Sequence, residues 1–274
     1  MSIIVSISSQ VVRGSVGNSV TSFALQRLGH TVWQIPTVLF SNHPGLGDVA
    51  GRTMPVDEVR ALWRGLADKG WATRIDAVLS GYIASADVAG LVAEIVDTVK
   101  MARPDATYLC DPAIGDEPMG LYVPEAAAVA IRDSLLARAN IATPNRFELS
   151  WLTRQAIAGN ADEAQYALKA LGVAQSIATS VPHEDGRQLA NVLWSHEALR
   201  VAATDRQSKV PHGTGDLFAG LYLGFRLGGA GPSDALDAAT RRADAVIRCS
   251  VGQEDLAITD AGAWSDVSSL RGPD

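Results

Sequence analysis

The sequence predicts an α/β fold in which a central, mostly parallel sheet carries helices on both faces, a three-layer sandwich. Two observations predict it. Short β-rich runs alternate with longer helical patterns from one end to the other, the pattern that produces parallel strands joined by crossover helices. The chain has 274 residues, 47% of them hydrophobic and only 19% charged, enough to bury a large core. No internal repeat, low-complexity tract or Pro/Gly/Ser linker divides it, so residues 1–274 are read as a single domain.

The elements follow in order. Ile3 to Ile7 is a β-branched run and a first strand, and Asn18 to Leu28 fits an amphipathic helix stopped by Gly29. Thr31 to Ile35 is a second strand closed by Pro36, followed by a polar, glycine-containing loop from Ser41 to Gly51. A helix over Val56 to Lys69 leads to a strand at Asp76 to Leu79, a helix at Ala86 to Lys100 and a strand at Thr107 to Cys110. After the loop Asp111 to Gly120, a helix near Pro124 to Ala137 precedes a short strand at Asn140 to Thr143. Two helical segments, a strand at Gln175 to Thr179 and a hairpin of Gln188 to Trp194 with Ala198 to Ala202 come next. Helices over Gly215 to Leu227 and Ser233 to Cys249 complete the pattern.

Composition excludes several functions. A net charge of −7 disfavours wholesale binding to nucleic acid or an anionic membrane, so any phosphate must be held by a local site. Two cysteines, Cys110 and Cys249, are too few for a disulfide scaffold and read as reduced thiols in a cytosolic protein. Met1 to Ser9 is apolar without a basic leader and reads as a strand rather than a secretion signal. No charge-free apolar stretch reaches the ~18 residues of a membrane span. Neither a Gly-x-Ser-x-Gly elbow nor a His-Glu-x-x-His zinc signature occurs, which disfavours a hydrolase.

In open parallel sheets, ligands bind beyond the carboxyl ends of the strands, so the loops after Ile7, Ile35, Leu79, Cys110 and Thr143 are where chemistry is expected. Gly213-Thr214-Gly215-Asp216 opens an apolar helix. Its glycines let backbone amides approach a ligand, and the positive helix end completes an anion hole. Asp216 in the first turn is a carboxylate beside that hole. The same letters also make a plain glycine turn, and the run is neither a dinucleotide fingerprint nor a Walker loop. Asp111, at the end of a strand, suits a magnesium ion or a metal-bound water, or simply caps a turn. Asn145 and Glu148 share a helix face and serve either one ion or a helix start. Ser9 to Asn18 and Ser41 to Gly45 read as polar loops for a modest ligand, with His43 a structural hydrogen bonder or a catalyst. Thr179-Ser180 contacts a nucleotide phosphate or merely ends a strand. An anion hole, acidic metal anchors and a base are together the parts of phosphoryl transfer.

These residues resemble the ribokinase-like superfamily and, within it, the pyridoxal kinases. Gly213-Thr214-Gly215-Asp216 is similar to its anion-hole and base motif, and Asn145-x-x-Glu148 to its magnesium-organising motif. The runs Ser9 to Asn18, Phe40-Ser41-Asn42-His43, Ser80-Gly81-Tyr82 and Cys110-Asp111-Pro112 resemble the vitamin-pocket signature. The likeness spans Ser9 to about Cys249, and departs from it where Pro44 replaces a common threonine.

The resemblance implies a ribokinase-like fold and ATP-dependent phosphorylation of the 5′-hydroxymethyl group of pyridoxal, giving pyridoxal 5′-phosphate. Asp216 would take the hydroxyl proton, and the Gly213, Thr214 and Gly215 amides would hold the charge developing on the γ-phosphate. Asp111 and Glu148 would order Mg2+ and its waters, and Ser9, Val12, His43 and Tyr82 would surround the pyridine ring. Thr143, Thr179 and Ser180, with Val201, Ala202, Ala203 and Thr204, would border ATP. Members are usually cytoplasmic homodimers, often assisted by a monovalent cation such as K+. Two other readings stay open on the residues: a kinase for another small alcohol such as hydroxymethylpyrimidine, and a non-catalytic vitamin B6 binding protein, against which the retained Asp216 argues.

Overall fold

The computed structural model of the chain describes residues 1–265; the end of the expected single domain, 266–274, lies outside the described residues. The chain runs β1 (Ile3–Arg13), α1 (Asn18–Arg27), β2 (Thr31–Asn42), β3 (Gly51–Thr53), α2 (Val56–Ala67), β4 (Ala77–Ser80) and α3 (Ala86–Ala102). It continues as β5 (Thr107–Cys110), the short strands β6 (Gly115–Asp116) and β7 (Gly120–Leu121), α4 (Glu125–Ala130), β8 (Ile141–Ala142), α5 (Arg146–Thr153) and α6 (Ala161–Leu171). Then come β9 (Gln175–His183), β10 (Gln188–Ser195), β11 (Leu199–Asp205), α7 (Thr214–Leu227) and α8 (Pro232–Ser250).

Among the described residues, nine strands form one sheet in the order β11-β10-β9-β8-β5-β4-β1-β2-β3, with β6 and β7 paired apart from it. From β2 through β9 every neighbouring pair is parallel; β3 is antiparallel to β2, and β10 to both β9 and β11. Strand alternation divides the core. Val5, Ile7, Val78, Tyr108 and Cys110 pack in the cluster that includes α2 and α3, while Ile4, Ala77, Leu79, Leu109 and Ile177 pack in the one that includes α1, α7 and α8. A smaller cluster joins α5 and α6 to β9 and β10. Both faces of the sheet are therefore covered, the arrangement expected for parallel strands.

The predicted elements hold, but three strands run further than expected. β1 does not stop at Ile7: it continues to Arg13 through residues read as a loop, because β2 pairs with it as far as Asn42. Pro36 does not close β2 either. It lies where the register against β1 shifts and where β2 has no outer partner, since β3 pairs only with Val38 to Phe40. A proline is tolerated at a bulge or a free edge. β9 extends past Thr179 to His183, and an unexpected strand, β3, begins at Gly51, the last residue of the stretch read as loop.

Asn18, placed by the sequence at the end of a ligand loop, is fully buried and structural. Its amide donates to the carbonyls of Ser8 (3.0 Å) and Ile35 (3.2 Å), and its oxygen accepts from the Ser6 hydroxyl (2.8 Å). The start of α1 is thereby tied to the strands on either side of it. α7 lies against α1 at close range: a Cβ on Gly220 would come within 3.1 Å of the Thr21 carbonyl oxygen, and one on Gly224 within 2.5 Å of Leu28. Two glycines one turn apart let the helices approach, and this brings the amino-terminal tip of α7 over the end of β1.

Candidate active site

β1 is followed in the chain by β2 on one side of it, whereas β4 lies on its other side; this reversal opens a crevice beyond their carboxyl ends. Ser8 and Ser9 from β1 and the Ser80-Gly81-Tyr82 turn after β4 line it. The Ser8 hydroxyl accepts from the Tyr82 amide at 3.1 Å, and the Tyr82 carbonyl accepts from the Thr37 hydroxyl at 2.6 Å.

The tip of α7 enters this crevice. Gly213 caps the helix in the left-handed region, with φ at 96°, and a side chain there would collide with the Ser15 carbonyl. Gly17, at φ 54°, is equally jammed against Ser9. Only glycine fits these two positions. The close approach aims the Gly17 amide at the carboxylate of Asp216, while the Thr21 hydroxyl donates to the Asp216 carbonyl at 3.2 Å. On the other side, a Cβ on Gly81 would lie 3.7 Å from Asp216 Oδ1. Burial pushes the Asp216 carboxyl up to about 6, and the Gly17 amide works against that rise. A carboxylate poised near neutral pH beside a helix tip is suited to accept a proton from an alcohol.

A second acidic group lies beside it. Asn145 caps α5 and accepts from the Glu148 amide at 2.9 Å, while Glu148 accepts from the Asn145 amide at 2.9 Å. Both readings of this pair are therefore compatible, because the capping box itself holds Glu148 in the site. Glu148 is 2% exposed and also accepts from the Ile114 amide at 2.8 Å. Burial raises its carboxyl, against the pull of those amides. Asp111 is held well above the usual carboxylate range by burial, then by the charges of Glu148 and Asp216; the Thr143 hydroxyl, donating at 3.0 Å, opposes this.

Asp116 of β6 adds a further carboxyl whose buried Oδ1 has no hydrogen-bond partner. Such a collection of desolvated carboxylates fits a divalent cation. Among the described residues no group of three or more His, Cys, Asp or Glu side chains could hold a metal ion by itself.

One side of the crevice is closed by a short turn, Pro44–Leu46, for which His43 is the cap: its Nδ1 accepts from the Gly45 amide at 3.0 Å. Pro44 occupies the first position of that turn, where its fixed φ is an advantage and its missing amide costs nothing. The Tyr82 ring, whose phenol burial pushes up, faces that of Tyr122 at 6.1 Å.

The structure brings Ser9, His43, Tyr82, Asp111, Thr143, Glu148 and the Gly213–Asp216 tip to one end of the sheet. It does not bring Val12 there: that side chain is 92% exposed on the outgoing end of β1, because β1 stays extended and turns it outward. Thr179 is anchored by its amide to the Pro144 carbonyl at 2.9 Å, and Ser180 stands exposed at φ 60°. β11 runs in the same direction as β9, so Thr204 lies at the same end of the sheet. Strand alternation turns Val201 and Ala202, both partly buried, toward apolar clusters on opposite faces of the sheet, with Ala203 exposed. Gly17 and Gly81 were read only within the Ser9 to Asn18 and Ser80-Gly81-Tyr82 runs, and sequence reasoning passed over Asp116, Tyr122 and His212. Only Asp116 carried a signal, standing five residues after Asp111 in the same loop.

A carboxylate and a helix tip at the carboxyl end of a nine-stranded, mostly parallel sheet define a kinase of ribokinase-like fold. The phosphomethylpyrimidine kinase family model matches residues 47–258. Pyridoxal kinase PdxY of Granulibacter bethesdensis is 38% identical over 245 residues, covering 86% of this chain and 85% of that one. Pyridoxal kinase PdxY of Corynebacterium diphtheriae is 36% identical over 251 residues, 89% and 86% of the two chains. The structure of pyridoxal kinase from Leishmania donovani in complex with ADP and pyridoxine superposes with a TM-score of 0.89 at 28% identity, covering 97% and 95%. The chain belongs to the pyridoxal kinase family.

Proposed function

We propose that this chain, acting as one domain, transfers the γ-phosphoryl group of ATP to the 5′-hydroxymethyl group of pyridoxal and related B6 vitamers, giving the 5′-phosphate. The observation that carries this is the half-buried Asp216 carboxylate, near neutral in pKa, standing in the first turn of α7 behind the Gly213–Gly215 amides. The base and the anion hole are then addressed to the two partners of one transfer, the alcohol and the phosphoryl group. Asp216 accepts the proton of the alcohol as its oxygen attacks, and the amides of Gly213, Thr214 and Gly215 hold the charge that grows on the phosphoryl oxygens. Ser9, His43 and Tyr82 border the acceptor, while Thr143, Thr179, Ser180 and Thr204 border the nucleotide. Asp111 and Glu148, with Asp116, would hold Mg2+, which when bound neutralises the triphosphate. K+ as an activating monovalent cation belongs to the same proposal on the family likeness alone.

Steady-state assays with ATP, Mg2+ and either pyridoxal or hydroxymethylpyrimidine test this. We expect pyridoxal to be preferred; a large preference for the pyrimidine would overturn it.

The chain is also proposed to be a cytoplasmic homodimer. Both thiols are free, which suits a reducing compartment, and no helix among the described residues is long and apolar enough to cross a membrane. β3 is an exposed edge strand, with Leu39 of β2 beside it 41% exposed and Val12 of β1, one strand further in, 92% exposed, and such an edge is stabilised by being covered. Light scattering after gel filtration should give twice the chain mass, and Val12→Lys with Leu39→Lys should shift it to the monomer. A wild-type monomer at assay concentration would refute the dimer.

A further inference from the structure

Two histidines distant in the sequence meet at the mouth of the site. The rings of His43 and His212 stack with centroids 4.2 Å apart and planes 28° from parallel. His43 ends the acceptor side of the crevice; His212 directly precedes Gly213. Gly45 lies close against both: a Cβ there would lie 2.5 Å from His212 Nε2 and 2.9 Å from His43 Nδ1. Because His43 Nδ1 accepts from the Gly45 amide, its ring orientation is set from its own turn. Burial and the neighbouring His212 hold His43 down to about 4, so at neutral pH it is an uncharged ring and meets its partner without like-charge repulsion. Asp116, from the β6–β7 hairpin, faces His212 as well, and the charge of His212 draws its carboxyl down against the rise from burial. Gly213, wedged against Ser15, leaves little slack between the ring of His212 and the amides that follow it.

We infer that His212 is a positioning residue, which by stacking on His43 ties the acceptor loop to the tip of α7 and so sets the vitamer's alcohol against the anion hole. The inference rests on the kinase reading above. Besides the stack, the 43–46 turn and the 213–215 amides, which must place the alcohol and the phosphoryl group against each other, meet through the Gly14–Ser15 segment, which lies near His43 on one side and against Gly213 on the other.

His212→Ala is expected to raise the KM for pyridoxal about fivefold, the size an aromatic pair of this geometry carries, with the KM for ATP changed less than about twofold. His212→Phe, which keeps a flat ring and no titrating group, should recover most of the loss. In the substrate-free protein, the NMR titration midpoint of His43 should rise from about 4 in His212→Ala, since its neighbour and its cover are both removed. An unchanged pyridoxal KM, an equal rise in both KM values, failure of the Phe variant to recover, or an unmoved His43 midpoint would each overturn the inference. Wild-type turnover on pyridoxal is the separate control: its absence would refute the kinase reading itself.

Discussion

Replacing Asp216 by asparagine should lower kcat by at least about a hundredfold while leaving the affinities for pyridoxal and ATP within about twofold, as expected when a base is lost and binding is not. The geometry supports a clean substitution. The Gly17 amide that now points at the carboxylate would find the asparagine oxygen in its place, and the Thr21 hydroxyl bonds the backbone carbonyl, which the change leaves alone. The wild-type pH profile carries the same signature. Burial raises the Asp216 carboxyl to about 6, so below that pH it is protonated and cannot accept a proton; above it, the base is free. kcat/KM for the vitamer should therefore fall about tenfold per unit as pH drops below about 6 and level off above it. Asp216→Asn should abolish that acid limb. Near-normal turnover in the variant would remove Asp216 from the mechanism.

Gly213→Ala should also reduce kcat by about 10²- to 10³-fold, the scale seen when an oxyanion donor is misplaced. Gly213 sits at φ 96°, and a Cβ there would meet the Ser15 carbonyl oxygen, with Leu256 3.3 Å away on another side. A backbone oxygen cannot swing aside as a flexible side chain could, so the loop must move and the amides of 213–215 move with it. The strain is local, of order 1–3 kcal/mol, and should cost the melting temperature only several degrees. The acid limb of the pH profile should survive, since Asp216 remains. A variant with wild-type kcat would show that these amides do not hold the phosphoryl charge.

Most of the helices and the parallel strand ends were legible from the sequence because period and punctuation are local. Gly29 stops α1, Ser85 caps α3, and the Asn145–Glu148 box starts α5, each within a few residues of the group it satisfies. The strands β1, β2 and β9 were read short for the converse reason. Polar residues and a proline mark a strand end only if no neighbour supplies a ladder there, and β1 and β2 supply one for each other across Ser8 to Arg13. Asp216, Asp111, Glu148 and Thr143 were legible as candidates because motif spacing and strand ends are linear features. Which faces Val201 and Ala202 take was not legible, because the choice of face along β11 depends on register against β10.

Composition and pattern alone thus determined a large α/β core, an acidic molecule that binds phosphate only through a local site, and the short runs that could supply an anion hole, a base and metal anchors. What only tertiary structure decided is which of them share one space and in what state of charge. The rise of Asp216 to about 6 comes from burial beneath chain far from it in sequence. The orphaned oxygen of Asp116 and the meeting of His43 with His212 likewise arise from contacts between distant segments. Solvent exclusion and close approach are properties of the packed whole, and no window along the chain contains them.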